Sequence, residues 1–164
     1  DGPFLDIFLL HYSYFFVGGG TGANAAIVTT QRPALAVNAF PWPWLCFPPR
    51  SIDMYIPKIY THSDGQLVHF CDLLKLSTLI DWRTFYDGGL FFRENKNLSV
   101  IDNSSSEILA AVKEMLTRVN LNFKDNDIHL RNNFNKIIKP NHEIFYSKSK
   151  ISLSFIQKYH HLIK

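Results

Sequence analysis

The feature that most constrains the chain is an apolar run that ends in glycines. Tyr14–Phe15–Phe16–Val17 leads directly into Gly18–Gly19–Gly20–Thr21–Gly22. A short continuous apolar run closed by glycines reads as a buried strand that ends in a tight loop. Residues Ala23 to Thr30 are small and mostly apolar, which suits a helix packed close against a sheet. After Arg32–Pro33, the run Ala34–Leu35–Ala36–Val37 makes a second buried strand. Upstream, Leu5, Phe8, Leu9 and Tyr12 recur at three- and four-residue spacing and predict a short helix over 4–12. Helix, strand, Gly loop, helix, strand is the rhythm of an α/β fold: a Rossmann-like parallel sheet with flanking helices.

The rest of the chain adds to that frame. Five prolines fall between residues 39 and 57, beside Trp42, Trp44 and Phe47. So much ring surface predicts an ordered loop, since a flexible linker would be Gly/Ser-rich. Residues 58–70 predict a β-hairpin insertion, with Ile59–Thr61 and Leu67–Phe70 around a Ser63–Asp64–Gly65 turn. Leu73, Leu74, Leu76, Leu79 and Ile80 suggest a helical segment, Leu90–Phe92 a short edge strand, and Leu98–Ile101 a strand or an extended lead-in. Ser104 and Glu107 have capping-box spacing ahead of a stripe of Ile108, Leu109, Val112, Met115, Leu116 and Val119. A second helix is predicted over 127–138, with Leu130, Phe134, Ile137 and Ile138 inward, and Pro140 ends it. A third opens at Ser149, with Ile151, Phe155, Ile156, Tyr159, Leu162 and Ile163 inward, so the C-terminal part is helical. At 164 residues the whole is one domain, large enough for a core without staples.

Charge and cysteine usage narrow the partners. The net charge of +3 is too mild to imply nucleic acid. Charge is nevertheless uneven: residues 1–49 carry only Asp1, Asp6 and Arg32, whereas 136–164 hold six lysines against Glu143. The basic final helix fits a solvated face, or peripheral contact with an acidic membrane surface. Cys46 and Cys71 read as two reduced thiols in a cytoplasmic protein. Phe4 to Val17 is too short and too interrupted to span a bilayer. With no start Met or leader pattern, an upstream part is expected to be missing.

The candidate chemistry centres on the Gly loop. A strand that ends in glycines and feeds a helix presents backbone N–H groups, and the helix's positive end, to an anion. Gly19, Gly20, Thr21, Gly22, Ala23 and Asn24 are the candidate phosphate contacts; the same glycines also fit a plain strand-to-helix turn. No Lys–Ser/Thr pair follows, so the loop is not a P-loop. The acidic residue of a dinucleotide fingerprint is also absent, and Asn38 stands near its place. Arg50, Asp53 and Lys58 fall in the Pro/Trp segment after the second strand, where parallel sheets bind ligands. Lys58 and Arg50 would supply charge, and Asn38 and Asp53 would contact a nucleotide or sugar. The seven histidines form no metal set, Cys46 has no partner base, and no residue stands out as catalytic.

These residues, taken in order, resemble a known family. The block Asp6 to Asn38, with Phe-Phe-Val-Gly-Gly-Gly-Thr-Gly, resembles the donor-binding half of GT-B glycosyltransferases. More specifically, the chain is similar to the C-terminal part of a bacterial glycosyltransferase family tied to surface-carbohydrate synthesis. The matching segments are Asn38 to Pro41, Asp53-Met54-Tyr55-Ile56-Pro57-Lys58, the turn at Asp64-Gly65, Pro140-Asn141-His142, Ile151-Ser152 and Phe155-Ile156-Gln157-Lys158-Tyr159. Together they cover nearly the whole chain. Two departures stand out: the triple glycine at 18–20, and Ser-Lys-Ser-Lys at 147–150 where the pattern has a small residue and Arg. The resemblance implies the C-terminal half of a GT-B fold, with an N-terminal acceptor domain absent. It implies a nucleotide-sugar donor as substrate, a glycan or lipid-linked acceptor, no metal or other cofactor, and work at the inner face of the cell membrane. A nucleotide-sugar epimerase of the same fold, or a non-catalytic nucleotide-binding module, are the alternatives.

Overall fold

In a computed structural model, the described residues are 2–19, 29–40, 50–77, 97–120, 128–140 and 143–163. They form an α/β arrangement around a four-stranded sheet, β1 (Phe16–Gly18), β2 (Ala34–Ala39), β3 (Met54–Pro57) and β6 (Lys150–Ile151), in the order β1-β2-β3-β6. All three pairings are parallel, and β1 meets β2 in the register Phe16↔Ala34 to Gly18↔Ala36. The two apolar runs flanking the Gly loop are therefore neighbouring parallel strands, as their composition predicts. β2 and β3 are buried almost throughout, which is why they carry no polar alternation.

The chain turns out of this sheet at Lys58. β4 (Ile59–His62) pairs antiparallel with β5 (Leu98–Ile101), from Ile59↔Ile101 to His62↔Leu98. The predicted hairpin is thereby corrected. Its turn is present, with Gly65 at φ +82° and the Gly65 N–H bonded to the His62 carbonyl at 2.9 Å. Its second arm, however, is reduced to one bridge, Thr61↔Leu67. Phe70 already begins helix α2 (Phe70–Ser77) and turns its ring edge onto Phe134.

The helices follow their caps. α3 (Ser105–Val119) starts from a complete capping box between Ser104 and Glu107. Its inward face is rotated from the predicted stripe. Ala111, Met115 and Arg118 are buried, Ile108, Val112 and Val119 pack at the margin, and Leu109 and Leu116 are exposed. α4 (Ile128–Ile137) buries Arg131 and Phe134. The predicted third helix starts later than Ser149: Lys150–Ile151 form β6, Ser152 is the N-cap, and α5 is Leu153–Lys158. Phe155, Ile156 and Leu162 point inward as predicted. At the other end, α1 (Gly2–Tyr12) has no buried residue, although it is apolar around its circumference. Among the described residues, no helix is long and apolar enough to cross a membrane.

Candidate functional site

A parallel sheet gives its strands a common direction, and ligand sites form outside their carboxyl ends. Here those ends are Gly18, Ala39, Pro57 and Ile151. Gly19 follows β1 directly, and a Cβ there would meet the Val37 carbonyl at 3.6 Å, an ordinary contact, so space alone does not require glycine. Gly20, Thr21, Gly22, Ala23 and Asn24 lie outside the described residues.

Beside Gly19, the end of β2 is irregular. The β2–β3 register shifts between Ala36 and Ala39, and Asn38 takes the left-handed conformation at φ +51°. Asn tolerates that region better than most residues because its short amide bonds locally. The Asn38 N–H donates to the Asn103 side-chain oxygen, and the Asn103 N–H donates to the Asn38 side-chain oxygen, both at 2.6 Å. Asn103 also donates its amide to the Pro57 carbonyl at 2.8 Å. One buried side chain thus ties the ends of β2 and β3 to the residue preceding the Ser104 cap of α3. Asn103 was not among the sequence candidates; its place in the helix lead-in was visible, but its distant partners were not.

Lys58 sits at the same edge. Its N–H bonds to the Ala39 carbonyl at 3.1 Å, and its ammonium lies 2.6 Å from Asp102 and 5.7 Å from the Phe40 ring centre. Asp102 is largely exposed, whereas the Lys58 side chain is three-quarters covered. The cation is thus held in place against a carboxylate that water can easily solvate, so a bound anion could displace that carboxylate at modest cost.

Arg50 and Asp53 are at the other end of the sheet. The sequence reading put them in the loop leaving β2, but residues 54–57 form β3 between them and Lys58. Asp53 is fully buried and accepts from the Ala34 N–H at 2.9 Å, from the Arg50 N–H at 3.0 Å, and from the Arg50 guanidinium at 2.8 and 3.0 Å. Arg50 also donates to the Arg32 carbonyl. This clamp joins the amino ends of β2 and β3, roughly 16 Å along the strand from Lys58. The structure therefore brings together Gly19, Asn38 and Lys58, and separates them from Arg50 and Asp53.

The N-terminus of α3, closed by its capping box, also faces this edge. Glu107 accepts from the Ser104 N–H at 2.6 Å, from Lys158 at 2.9 Å and from the Tyr159 hydroxyl at 2.5 Å. Partial burial pushes its carboxyl up, but the hydrogen bonds from Tyr159, Lys158 and Ser104 outweigh this and bring it down to about 2 from an ordinary 4.5. A depressed carboxyl means that the unfolded chain binds the proton more tightly. The stabilisation from Glu107 is therefore full above about pH 4.5 and lost as pH falls towards 2. Allowing for solvent screening, it amounts to about 1–2 kcal/mol. Glu107→Gln should lower stability by that amount at pH 7 and by much less at pH 2.5, read from urea unfolding at both pH values. An equal loss at both would assign the effect to packing.

Among the described residues, no three His, Cys, Asp or Glu side chains converge as a metal set. A scan of protein-family models and searches of curated proteins and of solved structures find no match to this chain.

Proposed function

We propose that the chain is the donor-binding domain of a GT-B-type glycosyltransferase, which holds a nucleotide-sugar for transfer to a surface glycan. The observation that carries this reading is the meeting of Gly19, Asn38 and Lys58 at the carboxyl edge of a parallel sheet. Backbone N–H groups after β1 and the Lys58 ammonium would then hold the diphosphate of the donor. The polar groups around Asn38 would face the nucleotide or sugar. In such a reaction the leaving diphosphate gains charge, and a fixed cation beside it stabilises that charge. The acceptor site and the catalytic base would come with the acceptor domain that the family resemblance implies.

Lys58→Met keeps an aliphatic stem and removes the charge. Loss of one charge-assisted hydrogen bond should weaken binding of a nucleoside diphosphate by about ten- to a hundredfold. Asp102→Asn should tighten it, because the competing carboxylate charge is removed. Titration calorimetry beside thermal melting provides the check. Unchanged affinity in Lys58→Met would make the pair with Asp102 a surface ion pair and nothing more.

A further inference from the structure

A cavity lies away from the carboxyl edge. It has a volume of about 290 Å³ and sits between α4 and the segment that leads into β6. Its floor is apolar, made by Tyr55, Ile138, Ile144 and Ile151, all buried. Its rim is Ser147–Lys148–Ser149–Lys150, and α4 contributes Asn132 and Asn135 on the opposite wall. The Ser147 and Ser149 hydroxyls lie 2.7 Å apart, and the Ser147 oxygen also accepts from the Ser149 N–H at 3.2 Å, so the rim has a set shape.

Among the described residues, the charged side chains that line this cavity are Lys148, Lys150 and Arg131. Arg131 is buried, held by Glu114 on α3 and by the Ile151 carbonyl at 3.1 Å. Its guanidinium is thus a fixed part of the wall. Cations, hydroxyls and amides above an apolar floor suit an anion that carries a small apolar body. The volume falls at the lower limit for ligand pockets, which excludes a nucleotide-sugar and suits one ring or a short chain.

The geometry points to a binding site here for a small amphiphilic anion, a phosphate or carboxylate head on a single-ring or short aliphatic body, separate from the proposed donor site. Because Lys148 and Ser149 precede β6, the site opens at the amino end of that strand, opposite the edge where Lys58 stands.

The test uses phenyl phosphate, benzoate and inorganic phosphate on the full chain, followed by backbone NMR shifts. One of the two aryl acids should bind in the millimolar range or better, with shifts centred on residues 131–135 and 144–151. Whichever binds more tightly names the head group. Inorganic phosphate should bind at least about tenfold more weakly, because it leaves the apolar floor unused. Lys148→Met with Lys150→Met should weaken the aryl acid about tenfold or more, with little change in melting. Asn135→Trp, at an exposed helix position, should weaken it by filling the mouth. No saturable shift by either aryl acid at about 10 mM would overturn the proposal. So would equal binding of inorganic phosphate, shifts centred on residues 38 and 58, or unchanged affinity in the lysine double variant.

Discussion

Replacing Asp53 with alanine should cost about 3–5 kcal/mol, the largest effect expected of any single substitution at the sheet's amino edge. The carboxylate is completely buried and accepts four hydrogen bonds, two from main-chain N–H groups and two from one guanidinium. Its removal leaves the Ala34 N–H at the start of β2 without an acceptor and leaves Arg50 beside a void. Arg50 is about a quarter exposed, so water can solvate part of its charge, and the lower half of the range is the better expectation. For a chain of this length, 3 kcal/mol corresponds to a fall of roughly 6–12 °C in Tm. Asp53→Asn keeps one acceptor oxygen and should lose less. Chemical denaturation of the three proteins gives the ranking. A loss below about 1 kcal/mol for alanine would show that the clamp contributes no more than a surface pair.

The position of Asp53 also shows what the sequence could and could not disclose. Asp53 and Lys58 are five positions apart and both polar, and their local pattern places both in one loop. A four-residue buried strand separates them, so they end on opposite edges of the sheet. That strand was hard to find because its last residue is proline and its flanks are polar. The β1–β2 pair was legible because continuous apolar runs bounded by Gly and Pro have few other readings. The α3 cap was legible because Ser104 and Glu107 need only each other. Asn103 and Asn38 are 65 positions apart, and no local pattern links them. β6 has two residues, too few for any periodicity, and its sequence merged into the helix that follows.

Glu114→Ala is the second large effect expected, again about 3–5 kcal/mol. Glu114 is nine-tenths buried on α3 and binds both α4 and the start of α5. It pairs with Arg131 of α4, accepts from the Ser152 hydroxyl at 2.7 Å, and accepts from the Leu153 N–H at 2.8 Å. That last bond caps the first turn of α5. Alanine here removes the carboxylate facing a buried guanidinium and uncaps a helix in one step. The pairing can be separated from the capping. Glu114→Leu combined with Arg131→Met removes both charges and keeps the volume, so it should be clearly more stable than Glu114→Ala, with the cap loss of about 1 kcal/mol remaining. If the double variant is as unstable as the single one, the guanidinium is not the source of the loss.

The pairing of β3 with β6 has a consequence for the time course of folding. Met54 meets Lys150 and Tyr55 meets Ile151, partners nearly a hundred residues apart along the chain. Contacts so distant in sequence are reached late, because the intervening chain must first be ordered. During synthesis at about 5–20 residues per second, the far edge of β3 stays open for roughly 5–20 s after the strand itself has emerged. Its N–H and C=O groups and its apolar side chains can be paired by any other extended segment in that interval. Lys150 and Ile151 therefore act as a seal: two residues, made long after β3, close the edge on which a nascent chain is most exposed to mispairing.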